Sequence, residues 1–338
     1  MTQMDAQTVA EEWGPAVRNL PLRLRSVLRA GEPMCRHTSL RVGGPADWFA
    51  EVDDSNILAE LVQTAQSARL PYFLLGEGTN ICVSDRGVRG LVIHNRCHSL
   101  DLGRRCTVET GHNLMRLFLL AMRAELSGLE YAVGIPGSVG GALASNAGAY
   151  QAQICDLVEE VEVVDEGLRQ WRPAAWMEFR YRDSRLRRSA AERPVVLSAR
   201  MRLLPSTHKA IREKARKLQT QRILSQPWES SAGSFFKNSV NHALAQTVPN
   251  IRPEARAADK VPTAALSEAC GMKGFRFGGA AISARHANFI VNCGGATAGD
   301  VRTVADTLKR RVLEQFGLAL EEEVMYVGDW SGWPESDG

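Results

Sequence analysis

The stretch Val158-Glu159-Glu160-Val161-Glu162-Val163-Val164-Asp165-Glu166-Gly167 decides the fold class. Valines at 158, 161 and 163 suit a strand, and Asp165-Glu166-Gly167 is turn chemistry that sends the chain directly into the next one. Further on, Val195, Leu197, Ala199, Met201 and Leu203 alternate strictly, the pattern of a half-buried strand. No helical pattern separates these strands, which argues against an all-parallel sheet built from helical crossovers and for an α+β protein.

Upstream, Asp53 to Asn56 offers N-cap residues for a helix whose apolar face is Leu58, Leu61, Val62 and Ala65. Pro71 closes it, and Tyr72 to Leu75 reads as a buried strand running into Gly76. A second helix is expected over Asn113 to Leu126, with Gly128 just beyond its end. Residues 1–35 read as a helical lead-in ending near Pro33. Downstream come a basic helix at His208 to Arg222, a boundary at Pro227, and a helix at 300–316 capped by Thr297 or Asp300 and stopped at Gly317. Val324 to Val327 is expected as the final strand.

The 338 residues suffice for two or three packed units. Charged residues are 23% and apolar residues 44%, which excludes a mainly disordered chain. A formal charge of +3 supplies no general field for nucleic acid or membrane, so any anion site must be local. The first residues carry Asp5, Glu11 and Glu12, unlike a secretory leader, and the longest apolar run, Leu117 to Met122, is too short to span a bilayer. The expected setting is cytoplasmic. Seven scattered cysteines without a C-x-x-C pair suit free thiols, and no metal site is expected from the histidines and cysteines.

Glycine concentrates in two places: Gly76-Glu77-Gly78-Thr79-Asn80, and Gly134-Ile135-Pro136-Gly137-Ser138-Val139-Gly140-Gly141 followed by Asn146-Ala147-Gly148-Ala149. Such loops let backbone N–H groups converge on an anion, and two of them could wrap one diphosphate cofactor. Neither matches G-x-G-x-x-G or a P-loop. The first is equally consistent with a plain turn; the second favours a ligand. Ser231-Ala232-Gly233-Ser234-Phe235-Phe236-Lys237-Asn238 groups hydroxyl, ammonium and amide around two aromatic rings, a pattern that alone mostly marks a turn or cap. Tyr181-Arg182-Asp183-Ser184-Arg185 is a second polar knot, whose default reading is an arginine paired with Asp183 or Asp165. Glu321-Glu322-Glu323 reads by default as a solvated acidic run.

Taken in order, these segments resemble the UDP-N-acetylenolpyruvoylglucosamine reductase family over roughly residues 35–328. The resemblance also rests on Thr38-Ser39-Leu40-Arg41-Val42-Gly43-Gly44-Pro45-Ala46, Asn146 to Tyr150, His286-Ala287-Asn288-Phe289 and Leu320 to Gly328. It implies a vanillyl-alcohol-oxidase (PCMH) type FAD-binding module of two subdomains, about 36–96 and 97–206, then an α+β substrate-binding domain at 207–328 and a tail at 329–338. The approach Gln226-Pro227 to Ser231, with no tyrosine between Leu203 and Tyr326, resembles the shorter subtype.

The resemblance further implies NADPH-dependent reduction of UDP-N-acetylglucosamine enolpyruvate through non-covalent FAD, in peptidoglycan synthesis. Another FAD-linked oxidase of the superfamily, acting on a sugar or alcohol, is the alternative. By the same resemblance Arg182, Ser234 and Glu323 are catalytic. The arginine fork would face the carboxylate of an enolate-like dianion, Glu323 would act beside it, and Ser234 would protonate the α-carbon. Gly76, Gly78, Thr79, Asn80, Gly134, Ile135, Pro136, Gly137, Ser138, Gly140, Gly141, Asn146, Ala147 and Gly148 would hold the cofactor, and Lys237 and Asn238 the substrate. No obligate protein partner and no nucleic acid are expected. Departures from the family pattern are Thr79 for serine, Gln151 for glycine, Ser239 for proline and Glu322 for proline. The last bears on which of the three glutamates is catalytic.

Overall fold

A computed structural model describes residues 20–188 and 194–334. The described residues divide into two compact units: those within 1–32, 46–77 and 89–224 form unit 1, and those within 33–45, 78–88 and 225–338 form unit 2.

Unit 1 holds two sheets. The first is four-stranded, in the order Leu28–Pro33, Pro45–Val52, Val88–Asn95, Tyr72–Leu75, with the last two parallel. Helix Ser55–Ser67 buries Leu58, Ala59, Leu61 and Val62 with Ala50, Val52, Leu91 and Ile93. Asp54 caps it, its carboxylate accepting from the N–H groups of Asn56 at 2.7 Å and Ile57 at 3.1 Å. The lead-in is not helical throughout: after the short helix Leu22–Arg25 comes strand Leu28–Pro33, because Leu20 and Leu24 anchor in this core while 28–33 pairs at the sheet edge. The part of that expectation covering 1–19 lies outside the described residues, as do the last four residues of the tail.

The second sheet is antiparallel, in the order Leu168–Pro173, Val158–Asp165, Val195–Arg202, Arg105–Glu109, Leu100–Asp101. Val195–Arg202 departs from the strict alternation read from its sequence. Val196 opposes Val163 and Ser198 opposes Glu162, so Leu197 is an extra residue at a bulge. The bulge reverses the parity: Val195 and Leu197 join the core under helix Ser55–Ser67, whereas Ala199 and Met201 join the opposite core with Val196. The strand is therefore buried on both faces.

That opposite core takes Leu114, Leu117, Phe118 and Ala121 from helix Leu114–Arg123, which Asn113 caps by accepting from Arg116 N–H at 2.9 Å. It also takes Ile211 and Ala215 of helix His208–Ser225. That helix therefore counts with unit 1, whereas residues 33–45 and 78–88, which lie in or next to the stretch expected as the FAD-binding module, count with unit 2.

Unit 2 centres on an antiparallel sheet ordered Ser230–Ser234, Phe289–Asn292, Ala280–Ile282, Arg276–Phe277. Helix Ala298–Phe316 buries Val301, Val304, Ala305, Leu308 and Val312 in the same core as Phe235 and Phe236. Thr297 and Asp300 form its capping box, and Gly317 ends it at φ 62°. Strand Met325–Val327 runs parallel to Ile81–Val83.

Two local features give stability predictions. Glu130 is buried, accepting from Ser127 Oγ at 2.5 Å and Gly128 N–H at 3.0 Å, with Lys214 Nζ at 3.5 Å. Burial alone would raise its pKa, but these donors outweigh it and hold the carboxyl below its ordinary value. Its stabilisation is thus present above the unfolded carboxyl's range, roughly pH 4.5, and is lost as pH falls through the folded value. Glu130→Ala should cost roughly 2–3 kcal/mol in chemical denaturation at pH 7, with the gap to the parent narrowing below that range. Separately, strands Gly148–Ala149 and Ala152–Gln153 pair through a two-residue turn in which Tyr150 has φ 54° and Gln151 φ 65°. Both sit in the left-handed region a type I′ turn demands. Gln151→Gly should therefore raise stability by about 0.5–1 kcal/mol, and an unchanged denaturation midpoint would show the turn to be unstrained.

Candidate active site

In unit 1 the chain places Arg182 against the second glycine-rich stretch. Arg180 and Asp183 exchange backbone hydrogen bonds at 3.0 and 3.2 Å, leaving Tyr181-Arg182 as the turn, with Arg182 at φ 55°. A non-glycine residue there is a conformation maintained at some cost, which is common where function fixes geometry. The Arg182 guanidinium donates to the carbonyls of Gly148 and of Asn146, the latter at 3.5 Å, and lies 5.2 Å from the Tyr181 ring centre. Asp183 is instead paired with Arg188, which also reaches Glu178 at 2.9 Å. The default reading of Arg182 as the partner of its neighbouring acid therefore does not describe it.

Asn146 is a buried hub. Its Nδ2 donates to Arg180 carbonyl at 2.9 Å and Gln153 Oε1 at 3.2 Å, while its Oδ1 accepts from Cys155 N–H at 3.3 Å. Among the residues expected to hold cofactor, its side chain is engaged by the protein on both ends. Arg222 adds a second cation nearby: its guanidinium lies 5.6 Å from the Tyr150 ring centre, and its Cδ lies 3.1 Å from where a Cβ on Gly134 would stand. Burial, with the charge of Arg182, pushes the Arg222 pKa down, although Tyr150 opposes this.

The glycine loops fit an extended, anionic group. Among the described residues, the N–H groups of Gly76, Glu77, Gly78 and Asn80 donate to no protein acceptor. Gly78 has φ 60°, and a Cβ there would strike the His37 carbonyl, so no other residue closes this loop without movement. Ser39 N–H holds the Gly78 carbonyl at 3.0 Å, and Asn113 Nδ2 holds Glu77 Oε1 at 3.0 Å. In the second loop Ser138 caps helix Val139–Ser145 by accepting from Gly141 N–H at 3.2 Å, and Gly140 N–H donates to Thr110 carbonyl at 2.8 Å. Gly134, Pro136 and Gly141 remain exposed, while Gly137 and Ser138 are buried. This surface of exposed small residues beside buried anchors suits the phosphates and ring of FAD.

In unit 2, Ser234 ends its strand opposite Phe289, after a register shift that spans Gly233 at φ 81°. Asn288 holds the next two residues: its carbonyl accepts from Phe235 N–H at 2.7 Å, its Oδ1 from Phe236 N–H at 3.1 Å, and its Nδ2 donates to Phe236 carbonyl at 2.8 Å. His286 is half-buried, and this desolvation pushes its pKa down; its Nδ1 accepts from Asn288 N–H at 3.2 Å, consistent with a neutral ring. Glu323 N–H donates to Phe235 carbonyl at 2.9 Å, and Asn80 Nδ2 donates to Glu323 carbonyl at 3.2 Å. The Glu323 backbone thereby bonds to the residue next to Ser234.

Of the two preceding glutamates, Glu321 pairs with Lys237, and Glu322 with Lys309 at 2.9 Å. Asn238 Oδ1 accepts from Thr263 N–H at 3.1 Å, and the Lys237 carbonyl accepts from Thr263 Oγ1 at 2.7 Å. Sequence reasoning assigns no role to Asn288 or Thr263; the signal that marks them is an amide and a hydroxyl buried beside the Ser234–Asn238 motif. A groove of about 550 Å³ in unit 1, lined by Arg104, Arg105, Glu159, Arg202 and Leu203 to Pro205, contains none of the candidate residues.

Residues 46–167 match a family described as an FAD binding domain, and residues 226–327 match the C-terminal domain of UDP-N-acetylenolpyruvoylglucosamine reductase. The UDP-N-acetylenolpyruvoylglucosamine reductase of Heliobacterium modesticaldum is 41% identical over 314 residues, covering 91% of this chain and 93% of its own length. That of Synechococcus is 36% identical, with 91% and 94% covered. The crystal structure of the Thermus caldophilus reductase superposes with a TM-score of 0.71 at 32% identity, covering 87% of this chain and 97% of that one. The α+β architecture, with an FAD-binding module ahead of a separate C-terminal domain, is thus shared along nearly the whole length of these relatives, and the chain belongs to the UDP-N-acetylenolpyruvoylglucosamine reductase family.

Proposed function

We infer that this chain is a flavin-dependent oxidoreductase that reduces UDP-N-acetylglucosamine enolpyruvate to UDP-N-acetylmuramate with NADPH, a step of peptidoglycan synthesis. The observation that carries this is the 41% identity to a reductase over 93% of that protein's length. The finer reading is a cytoplasmic enzyme whose product serves cell shape and division, working without nucleic acid or an obligate protein partner. Among the described residues no helix is long and apolar enough to cross a membrane. In this reading residues 36–206 carry FAD without a covalent link and 207–328 carry the substrate; of the expected tail at 329–338, Trp330 and Trp333 instead pack with Arg302.

FAD, when bound, relays a hydride from NADPH to the enolpyruvyl β-carbon. The protein's task is the charge and the proton. Hydride arrival at the β-carbon leaves an enolate-like dianion on the substrate's carboxylate side, which needs a fixed cation. Arg182 meets that need: its backbone is held by the Arg180–Asp183 turn, and its fork is aimed by the Gly148 and Asn146 carbonyls. Ser234 Oγ then gives its proton to the α-carbon. Ser234 is half-buried at the end of a strand whose next two residues are held by Asn288, so its backbone is placed before substrate arrives.

Glu323 acts with them. Its backbone is tied to Phe235 and to Asn80, which fixes it beside the segment that carries Ser234. The Lys237 ammonium is held by Glu321, so its help to Ser234 would be through field, not proton transfer. Among the described residues, the first glycine loop keeps the N–H groups of Gly76, Glu77, Gly78 and Asn80 for phosphate.

Two measurements test this. Anaerobic titration with NADPH should bleach the yellow band of the purified protein, and UDP-N-acetylglucosamine enolpyruvate should restore it; oxygen consumption with a sugar or alcohol and no response to the enolpyruvyl compound would overturn the assignment. Ser234→Ala should leave NADPH-driven bleaching intact and slow its recovery by roughly 10²–10⁴-fold, the usual weight of a general acid. Stopped-flow absorbance that finds both halves slowed equally would remove Ser234 from the proton-donor role.

A further inference from the structure

One surface feature of unit 2 plays no part in hydride or proton transfer. Of the six described tryptophans, Trp48, Trp171, Trp176, Trp330 and Trp333 are half-buried, whereas Trp228 is 76% exposed. Trp is highly buried on average, and an open indole presents a large flat apolar face with a polar N–H edge. Several of the others also carry a guanidinium: Arg200 lies 3.9 Å from the Trp171 ring centre, and Arg302 lies 4.7 Å from Trp330 and 5.0 Å from Trp333. There the stack is part of a packed layer. At Trp228 the Arg285 guanidinium lies 5.2 Å from the ring centre, and most of the indole faces solvent.

The position of this pair is specific. Trp228 stands two residues before strand Ser230–Ser234, which ends in the proposed proton donor. Arg285 lies in the turn closed by Ser283 N–H on the Phe289 carbonyl at 2.9 Å, the same turn whose Asn288 holds Phe235 and Phe236. Both groups are therefore carried by the two segments that fix Ser234. A flat, open aromatic face beside a permanent cation is complementary to a flat heterocycle linked to a diphosphate. Resting on the proposed function, we propose that Trp228 and Arg285 form the seat for the uracil end of the substrate, the indole stacking on the base and the guanidinium facing its phosphates. Trp228 is thus a specificity-determining residue that does not touch the reacting carbons.

The test uses the flavin-loaded enzyme, with UDP as the probe in calorimetric titration and UDP-N-acetylglucosamine enolpyruvate in steady-state kinetics. Loss of one base stack predicts that Trp228→Ala weakens UDP binding and raises KM for the enolpyruvyl substrate by roughly tenfold. NADPH-driven flavin bleaching, flavin content and kcat should stay unchanged, and Trp228→Phe should restore most of the binding. Because the side chain is exposed, the variant keeps its core. A parent enzyme that reduces the substrate while Trp228→Ala binds UDP equally well would overturn this assignment and leave the reaction standing. A parent that neither binds UDP nor reduces the enolpyruvyl compound would overturn both.

Discussion

The Asn288 side chain is the constraint on which the catalytic end of unit 2 depends. It is buried, with 4% of its surface exposed, and both ends of its amide are used on one residue: Oδ1 on Phe236 N–H and Nδ2 on Phe236 carbonyl. An amide presents one donor face and one acceptor face, so it can mimic a neighbouring strand where no strand continues. Aspartate would leave the Phe236 carbonyl unsatisfied and bury a charge, and leucine would orphan two backbone groups at a cost of roughly 1–3 kcal/mol each. With Phe236 held, Phe235 hands its carbonyl to Glu323 N–H. One buried amide therefore sets the spacing between the chain carrying Ser234 and the chain carrying Glu323.

The features legible in the sequence are those that short-range physics decides. Asp54, Asn113 and Thr297 cap their helices, and Gly317 stops the last one, because each needs only neighbours within a turn. Strand Val195–Arg202 is legible but its faces are not, because the extra residue at Leu197 is defined by pairing with Val158–Asp165 and not by anything local. The lead-in is misread for a similar reason: Leu28–Pro33 has no strand pattern of its own and becomes a strand by pairing beside Pro45–Val52.

The candidate site shows the same division. Motif resemblance singles out Arg182, Ser234 and Glu323, but not how each is held, since the holders are remote in sequence. Asn146 lies 36 residues from Arg182, and Asn288 lies 52 residues from Phe236. Lys237 and Asn238 illustrate the converse. Both read as substrate contacts, yet the first spends its charge on Glu321 and the second its Oδ1 on Thr263 N–H at the start of helix Thr263–Ala269. Whatever either offers a substrate is what remains, a lysine's field and an amide's Nδ2.

The three acids at 321–323 show how packing resolves what an acidic run leaves open. All three share one sequence environment, so composition assigns them one role. Backbone placement separates them: Phe236 bridges to Glu322, Lys237 N–H donates to the Glu321 carbonyl, and Phe235 receives Glu323 N–H. The chain thus zips against the Ser234–Lys237 segment in one register, with each of the first two carboxylates offset by a lysine from a different element, Lys237 and Lys309. Neutralising those two lowers the repulsion that any third acid would feel in the same run. A glutamate in that setting can sit near a developing dianion at smaller electrostatic cost than an isolated trio of carboxylates would impose. Ion pairs that look like surface decoration therefore lower the electrostatic cost of placing the Glu323 carboxylate where the proposed reaction needs it.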